Sequence, residues 1–266
     1  MKSKKIVLIG GLGYLGGRIA ETLSYYNDYE IIITSRKEPQ EFPEHSFPNT
    51  HISHFNFNHS TLNNDIFSNI FAIIYLASPN ASYCNKNPQK SIEENKKNLL
   101  SVLENIKNTS ISHFIYMSTI HVYGESLEGL VTVDKDTKPI HPYAISHNNA
   151  EVLLMNFKLK SSIKKYIIRL SNSYGYPFWQ GSECWHLVIN DLCRMAIKNK
   201  RMEIFNPKAK RDFISIQNIV EVLLSLLRDE NINDSIIYNL SSGKNITIYD
   251  KAVEIQSYIK KNLKIH

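Results

Sequence analysis

Three glycines, Gly10, Gly13 and Gly16, follow the apolar run Lys5-Ile6-Val7-Leu8-Ile9 directly, in a G-x-x-G-x-x-G spacing. Glycines so placed allow a tight turn and a close approach of backbone to a pyrophosphate, and a helix beginning there aims its N-terminal amides at that charge. With Tyr14 and Leu15 between them, they form the expected phosphate cradle of a dinucleotide. A second apolar run, Glu30 to Thr34, leads into Ser35-Arg36-Lys37, with no carboxylate before Glu38. An acidic residue there would accept hydrogen bonds from the adenosine ribose and repel a 2′-phosphate. Ser35 and Arg36 can instead bind such a phosphate, so the charge pattern favours NADP, with NAD as the alternative.

The elements that must hold these groups follow from hydrophobic periodicity. Strands are expected at Lys5–Ile9, Glu30–Thr34, Ala72–Leu76, Phe114–Met117 and Lys165–Leu170. Helices are expected at Gly16–Tyr25, about Ile92–Ile106 (Leu99, Leu100, Leu103 and Ile106 on one face) and Tyr143–Leu159. Continuous apolar strands alternating with helices predict an α/β protein with a parallel sheet covered on both sides. From about Ser171 onward the pattern is less regular, which suggests a smaller lobe whose pieces return to the sheet.

Two further segments carry chemistry-bearing side chains. Met117-Ser118-Thr119-Ile120-His121-Val122-Tyr123-Gly124 ends the fourth of these strands, and Pro142-Tyr143-Ala144-Ile145-Ser146-His147 opens a helix, with Glu151 after it. They resemble the S-S/T-x-x-V-Y-G and P-Y-x-x-S-K segments of the extended short-chain dehydrogenase/reductase family, the nucleotide-sugar-modifying epimerase/dehydratase group. Leu76-Ala77-Ser78, Asn95, Arg169-Leu170-Ser171-Asn172-Ser173-Tyr174-Gly175, Arg211-Asp212-Phe213-Ile214 and Tyr238-Asn239-Leu240 with Gly243 match further family segments in order. The resemblance fades after about Tyr258.

The resemblance implies a Rossmann-type doubly wound sheet with a small C-terminal substrate-binding lobe. Residues 1–170 and about 210–228 would form the cofactor domain, and about 171–209 and 229–266 the lobe. Gly10, Gly13, Tyr14, Leu15, Gly16, Ser35, Arg36, Leu76, Ala77, Asn95, Tyr143 and His147 would hold the cofactor. Thr119 would bond the reacting oxygen, Tyr143 would exchange its proton, and nicotinamide would exchange the hydride. By the same resemblance Asn172 would lie near a sugar diphosphate, and Arg211 would pair with a phosphate.

Two departures refine the expectation. His147 stands where the family has a lysine that binds the nicotinamide ribose and lowers the tyrosine pKa. A histidine is mostly neutral at pH 7, so Tyr143 stays protonated, which suits reduction of a ketone better than oxidation of an alcohol. A site that has lost catalysis and only binds is the competing reading. Ile120 and His121 stand where dehydrating relatives carry an Asp-Glu pair, which argues against 4,6-dehydration. His121 and His186 fall where the GDP-fucose synthases carry a cysteine and a histidine. They are either an epimerising pair or simple packing and lobe residues. The expected activity is NADPH-dependent reduction of a keto group at C4 of a nucleotide-linked deoxysugar, for polysaccharide or glycan precursors, with an epimerase as alternative.

Composition sets the outer limits. The 266-residue chain is 42% hydrophobic and 21% charged, as in soluble globular proteins. Its net charge of +6 reads as a lysine-rich surface or a preference for a polyanionic ligand, and the scatter of basic residues argues against nucleic acid. No apolar run approaches the ~18–20 residues needed to cross a bilayer. Only Ile6–Ile9 follows the basic start before the glycines, which suits a buried strand better than a signal peptide. Cys84, Cys184 and Cys193 lack a CxxC pair and read as free thiols of a cytoplasmic protein, with no metal expected. A homodimer is implied by the resemblance, through the Ile92–Ile106 and Tyr143–Leu159 helices.

Overall fold

The structure, a computed structural model, describes residues 3–42, 47–57, 66–125, 127, 129–160, 163–229 and 236–263. Its centre is a seven-stranded sheet of β1 (Lys4–Ile9), β2 (Tyr29–Ser35), β3 (Thr50–His54), β4 (Ile70–Tyr75), β5 (His113–Thr119), β6 (Lys164–Leu170) and β9 (Ile236–Leu240). Spatial order is β3-β2-β1-β4-β5-β6-β9, and every pairing is parallel. The alternation of side chains across a strand divides the core in two. Ile6, Leu8, Ile31, Ile33, Ile74 and Ile168 face α1 (Tyr14–Ser24) and α6 (Ile216–Arg228), whereas Val7, Ile9, Ile73, Tyr75, Phe114 and Ile167 face α3 (Pro88–Ile106) and α4 (Pro142–Asn156). The strands are therefore apolar on both faces, as the sequence pattern predicts. Among the described residues no helix is long and apolar enough to cross a membrane.

The helices differ from the sequence pattern in three details. Helix α3 starts at Pro88, because a proline in the first turn needs no N–H partner. Its buried face runs through Ser91, Asn95, Leu99, Val102, Leu103 and Ile106, and leaves Leu100 exposed. Helix α4 stops at Asn156 rather than Leu159, since Phe157 is extended and the Lys165 ammonium from β6 donates to the carbonyls of Leu154, Met155 and Phe157.

The segment after Ser171 carries short regular elements separated by irregular stretches at 175–187 and 200–209. It supplies β7 (Asn172–Tyr174), α5 (Val188–Asn199), β8 (Lys210–Ser215), α6, β9, β10 (Asn245–Thr247) and α7 (Ile248–Leu263). A small sheet, β10-β8-β7, and a third core of Ile189, Leu192, Phe213, Ala252, Ile255 and Ile259 make the lobe. Parts of this segment return to the central sheet, where α6 packs within its first core. Strand β8 pairs with lobe strands, whereas β9 pairs with β6 along its length and belongs to the central sheet. Short strands with few apolar residues carry little periodic signal, so their partners are decided by packing rather than by local sequence.

Candidate active site

The chain passes from β1 to opposite sides of the sheet, with β2 on one flank and β4 on the other. In such sheets the crevice outside the strand ends at this reversal is where ligands bind. A cavity of about 650 Å³ opens there. Gly10 adopts φ +81°, and a Cβ on it would stand 2.9 Å from the Ala77 backbone. Gly13 caps α1 without any side-chain bond to its amides, and a Cβ on Gly16 would overlap the Gly11 backbone. Thr34 locks the turn to β2: its hydroxyl accepts from the Gly10 amide at 3.2 Å and donates to the Leu8 carbonyl. A turn stripped of side chains at a helix N-terminus is a cradle that fits a pyrophosphate.

Gly10, Gly13, Tyr14, Leu15, Gly16 and Leu76 all line the cavity. Ala77 instead backs Gly10. Ser35 and Arg36 close β2 outside the cavity lining; the Ser35 hydroxyl accepts from the Lys37 amide, and Arg36 is exposed. Asn95 is buried between α3 and α4. Its amide donates to the Ser146 hydroxyl at 2.9 Å and to the Ser146 carbonyl at 3.2 Å.

Thr119, Tyr143 and His147 meet at the floor of the same cavity. Thr119 ends β5, and its hydroxyl accepts from the His121 amide as the chain turns into a 3₁₀ segment. Pro142 starts α4, so Tyr143 and His147, four residues apart, share one helical face; their rings meet edge to face at 4.6 Å. Burial pushes the Tyr143 phenol up to about 12, against a smaller downward pull from the Thr119 hydroxyl bonded to it. Burial, and then the nearby His121, hold the His147 imidazole down at about 3. The site thus presents a protonated phenol beside a neutral imidazole.

His147 shares its depressed basicity with His113, which packs between Phe71 and Tyr166 at the other end of β5 and is lowered by burial to about 4. Both imidazoles are neutral in the native state, whereas in the unfolded chain they titrate near 6.5. Below that pH the unfolded state binds protons that the native state refuses. Thermal midpoints should therefore fall as pH drops from about 6.5 toward 4, and His113→Phe should flatten that slope. An unchanged slope between pH 6.5 and 5 in the variant would exclude His113 as a source.

The outer part of the cavity gathers His121, Asn172, His186 and Arg211 with His141, Glu125 and Glu183. Asn172 donates to the Asp212 carbonyl. Arg211 has no ion-pair partner among the described residues, because its neighbours are taken. The Asp212 carboxylate accepts from the hydroxyls of Ser171 and Ser242 and the amides of Ser242 and Lys244, while Glu203 pairs with Arg201. Burial would raise Asp212, but these bonds outweigh it and hold the carboxyl low. His121 is lowered by burial, then by Arg211 and His141.

Sequence reasoning missed several wall residues. The His141 Nδ1 accepts from the Tyr143 amide as the cap of α4, and Ser78, Asn80 and Glu183 line the cavity, with Asn80 donating to Glu183 at 2.9 Å. His141 precedes the Pro-Tyr pair directly, a visible signal. The Asn80–Glu183 contact has none, since 103 residues separate the two.

The fold and cleft define an α/β protein with a glycine-lined turn at the reversal of its parallel sheet. The chain belongs to the NAD dependent epimerase/dehydratase family, whose model matches residues 6–241. A UDP-glucuronic acid decarboxylase of Arabidopsis thaliana is 26% identical over 279 residues, covering 99% of this chain and 59% of that relative. The GDP-6-deoxy-D-mannose reductase of Pseudomonas aeruginosa is 25% identical over 164 residues, covering 60% of this chain and 53% of the reductase. The chain thus spans less than two thirds of the length of these curated relatives. A solved UDP-N-acetylglucosamine 4-epimerase from Methanobrevibacter ruminantium, in complex with UDP-N-acetylmuramic acid, matches with a TM-score of 0.80 at 23% identity, over 99% of this chain and 83% of that one. MoeE5 in complex with UDP-glucuronic acid and NAD matches at 0.81 with 18% identity, over the same shares. At such identities the likeness is one of fold.

Proposed function

We propose that the protein reduces a keto group, at C4, on a nucleotide-linked deoxysugar, using NADPH, in the making of polysaccharide or glycan precursors. The observation that carries this reading is the Tyr143 phenol, protonated up to about pH 12, beside Thr119 and a neutral His147. Reduction of a carbonyl needs a proton at its oxygen as hydride arrives at carbon. Tyr143 supplies that proton and Thr119 holds the oxygen, while nicotinamide supplies the hydride when bound. The Gly10–Gly16 turn and Leu76 hold the dinucleotide, and Arg211 with Asn172 receives the sugar diphosphate. The NADP preference rests on the exposed Arg36 and on Ser35, whose hydroxyl oxygen accepts from the Lys37 amide while its proton stays available to a phosphate oxygen. The reading suits a cytoplasmic enzyme whose three cysteines stay free thiols. It also includes a homodimer through the exposed Leu100 of α3 and Val152 and Met155 of α4.

The test is to supply NADPH or NADH with a nucleotide-linked 4-keto-6-deoxysugar, following cofactor absorbance and the sugar product. Stoichiometric oxidation of NADPH with loss of the ketone is expected. Interconversion of sugars without net cofactor change would establish the epimerase, for which His121 and His186 on the same cavity are placed. Binding without turnover would make the protein a non-catalytic relative, and NAD bound at least tenfold more tightly than NADP would reverse the cofactor choice.

A further inference from the structure

The histidine in place of the lysine has a companion on β5. The Tyr116 phenol oxygen lies 3.0 Å from the His147 Nδ1, 3.1 Å from the Ser78 hydroxyl and 3.4 Å from the Asn95 amide nitrogen. Ser78 and His147 line the cavity, and Tyr116 and Asn95 are buried behind them. Nothing in a strand's hydrophobic pattern requires a phenol there, since the position is fully buried among apolar neighbours.

The donors and acceptors of this cluster can be assigned. Asn95 must turn its NH₂ toward α4, because the Ser146 carbonyl can only accept. The same NH₂ also reaches the Tyr116 oxygen, so that oxygen receives a donor. Its own proton then goes to Ser78 or to His147. An imidazole nitrogen is the better acceptor for a phenol, and the rotatable Ser78 hydroxyl can donate back to Tyr116. Burial raises the Tyr116 phenol well above its usual range, with bonds from Ser78 and Asn95 opposing, so it remains a donor. Among the described residues no hydrogen bond occupies His147 Nε2, and that nitrogen is not among the buried unpaired atoms; it is the one left open to the cavity.

We infer that Tyr116 is a positioning residue that holds His147 in the Nε2–H tautomer, so that the imidazole presents an uncharged hydrogen-bond donor to the bound dinucleotide. A neutral histidine is otherwise two-faced, able to offer either a donor or a lone pair. Bonding Nδ1 to a phenol removes that choice. The position keeps the donor polarity that an ammonium would have, without its charge. This rests on the proposed dinucleotide site, but not on the identity of the sugar or on catalysis.

The experiment uses protein labelled with ¹⁵N-histidine and free of ligand. The ring-nitrogen shifts of His147, one of ten histidines, are assigned by their loss in His147→Gln. The wild type is expected to show a single Nε2–H tautomer across pH 6–8, and Tyr116→Phe a mixture of both. Dissociation constants for NADPH and NADH complete the test. Tyr116→Phe should weaken binding by about two- to tenfold, the scale of one hydrogen bond. It should have no such effect in a His147→Lys background, where the donor is fixed by charge. An Nδ1–H tautomer in the wild type overturns the inference, even where the phenylalanine variant fails to fold. So does an unchanged tautomer in Tyr116→Phe, or an equal affinity loss in both backgrounds. A wild type that binds neither dinucleotide refutes the underlying site instead, while the tautomer result still stands.

Discussion

Tyr143→Phe is expected to lower ketone-reducing turnover by about 10²–10⁴-fold, the scale on which a general acid contributes. The ring is retained, so its edge-to-face contact with His147 and the fold around α4 should survive. Dinucleotide affinity should change little, because the role proposed for the phenol is to deliver a proton. Initial rates of NADPH oxidation, with cofactor fluorescence as the binding control, measure the two separately. The pH dependence adds a second check. With the phenol held near 12, reductive turnover should not decline through deprotonation of Tyr143 below about pH 10. Oxidation of the alcohol product needs the phenolate and should rise with pH over the same range. His147→Lys places a positive charge against the Tyr143 ring, which should lower the phenol's pKa and speed oxidation more than reduction. Unchanged turnover in Tyr143→Phe would refute the assignment of the proton donor. A wild type inert toward keto-sugars that gains activity on His147→Lys would mark a lost enzyme.

Glu151→Leu is expected to destabilise the fold by about 3–5 kcal/mol, the usual cost of removing one partner from a buried ion pair. Glu151 on α4 and Arg169 on β6 are almost wholly buried, with the guanidinium bonded to both carboxylate oxygens, the closest contact at 2.7 Å. The Ser118 hydroxyl also bonds the carboxylate. On its other side Arg169 donates to the Tyr123 hydroxyl at 2.7 Å, which donates to Asn239. Deleting the carboxylate leaves the buried guanidinium without a counter-charge between β6 and α4. Urea unfolding should show the loss, and the double variant Glu151→Leu/Arg169→Met should recover much of it. A single-variant loss below about 1 kcal/mol would mean that Arg169 finds another partner or water.

That network bears on how the motifs are read. Ser118, Tyr123, Arg169 and Asn239 all lie in segments that resemble the family, and so does Thr119. Spacing alone does not separate the residues that face a substrate from those that brace the sheet. Thr119 and Ser118 are adjacent on β5 and point to opposite faces, as strand geometry demands. Both border the cavity, but the Ser118 hydroxyl bonds Glu151 while the Thr119 hydroxyl accepts from the His121 amide.

Local order in the chain by itself determined the alternating strands and helices, the cradle at Gly10, Gly13 and Gly16, and the shared helical face of Tyr143 and His147. Each depends on residues a few positions apart, and backbone geometry and periodicity act over that range. Tertiary structure alone decided that Ser35 is engaged, that Asn95 reaches Ser146 rather than the cavity, and that Arg211 lacks a carboxylate partner among the described residues. It also decided that β9 completes the central sheet. These outcomes depend on groups brought together from distant parts of the chain. The neutrality of His147 is of the same kind: a histidine titrates near 6.5 in water, and burial beside Tyr143 and Tyr116, with a smaller push from His121, holds it uncharged.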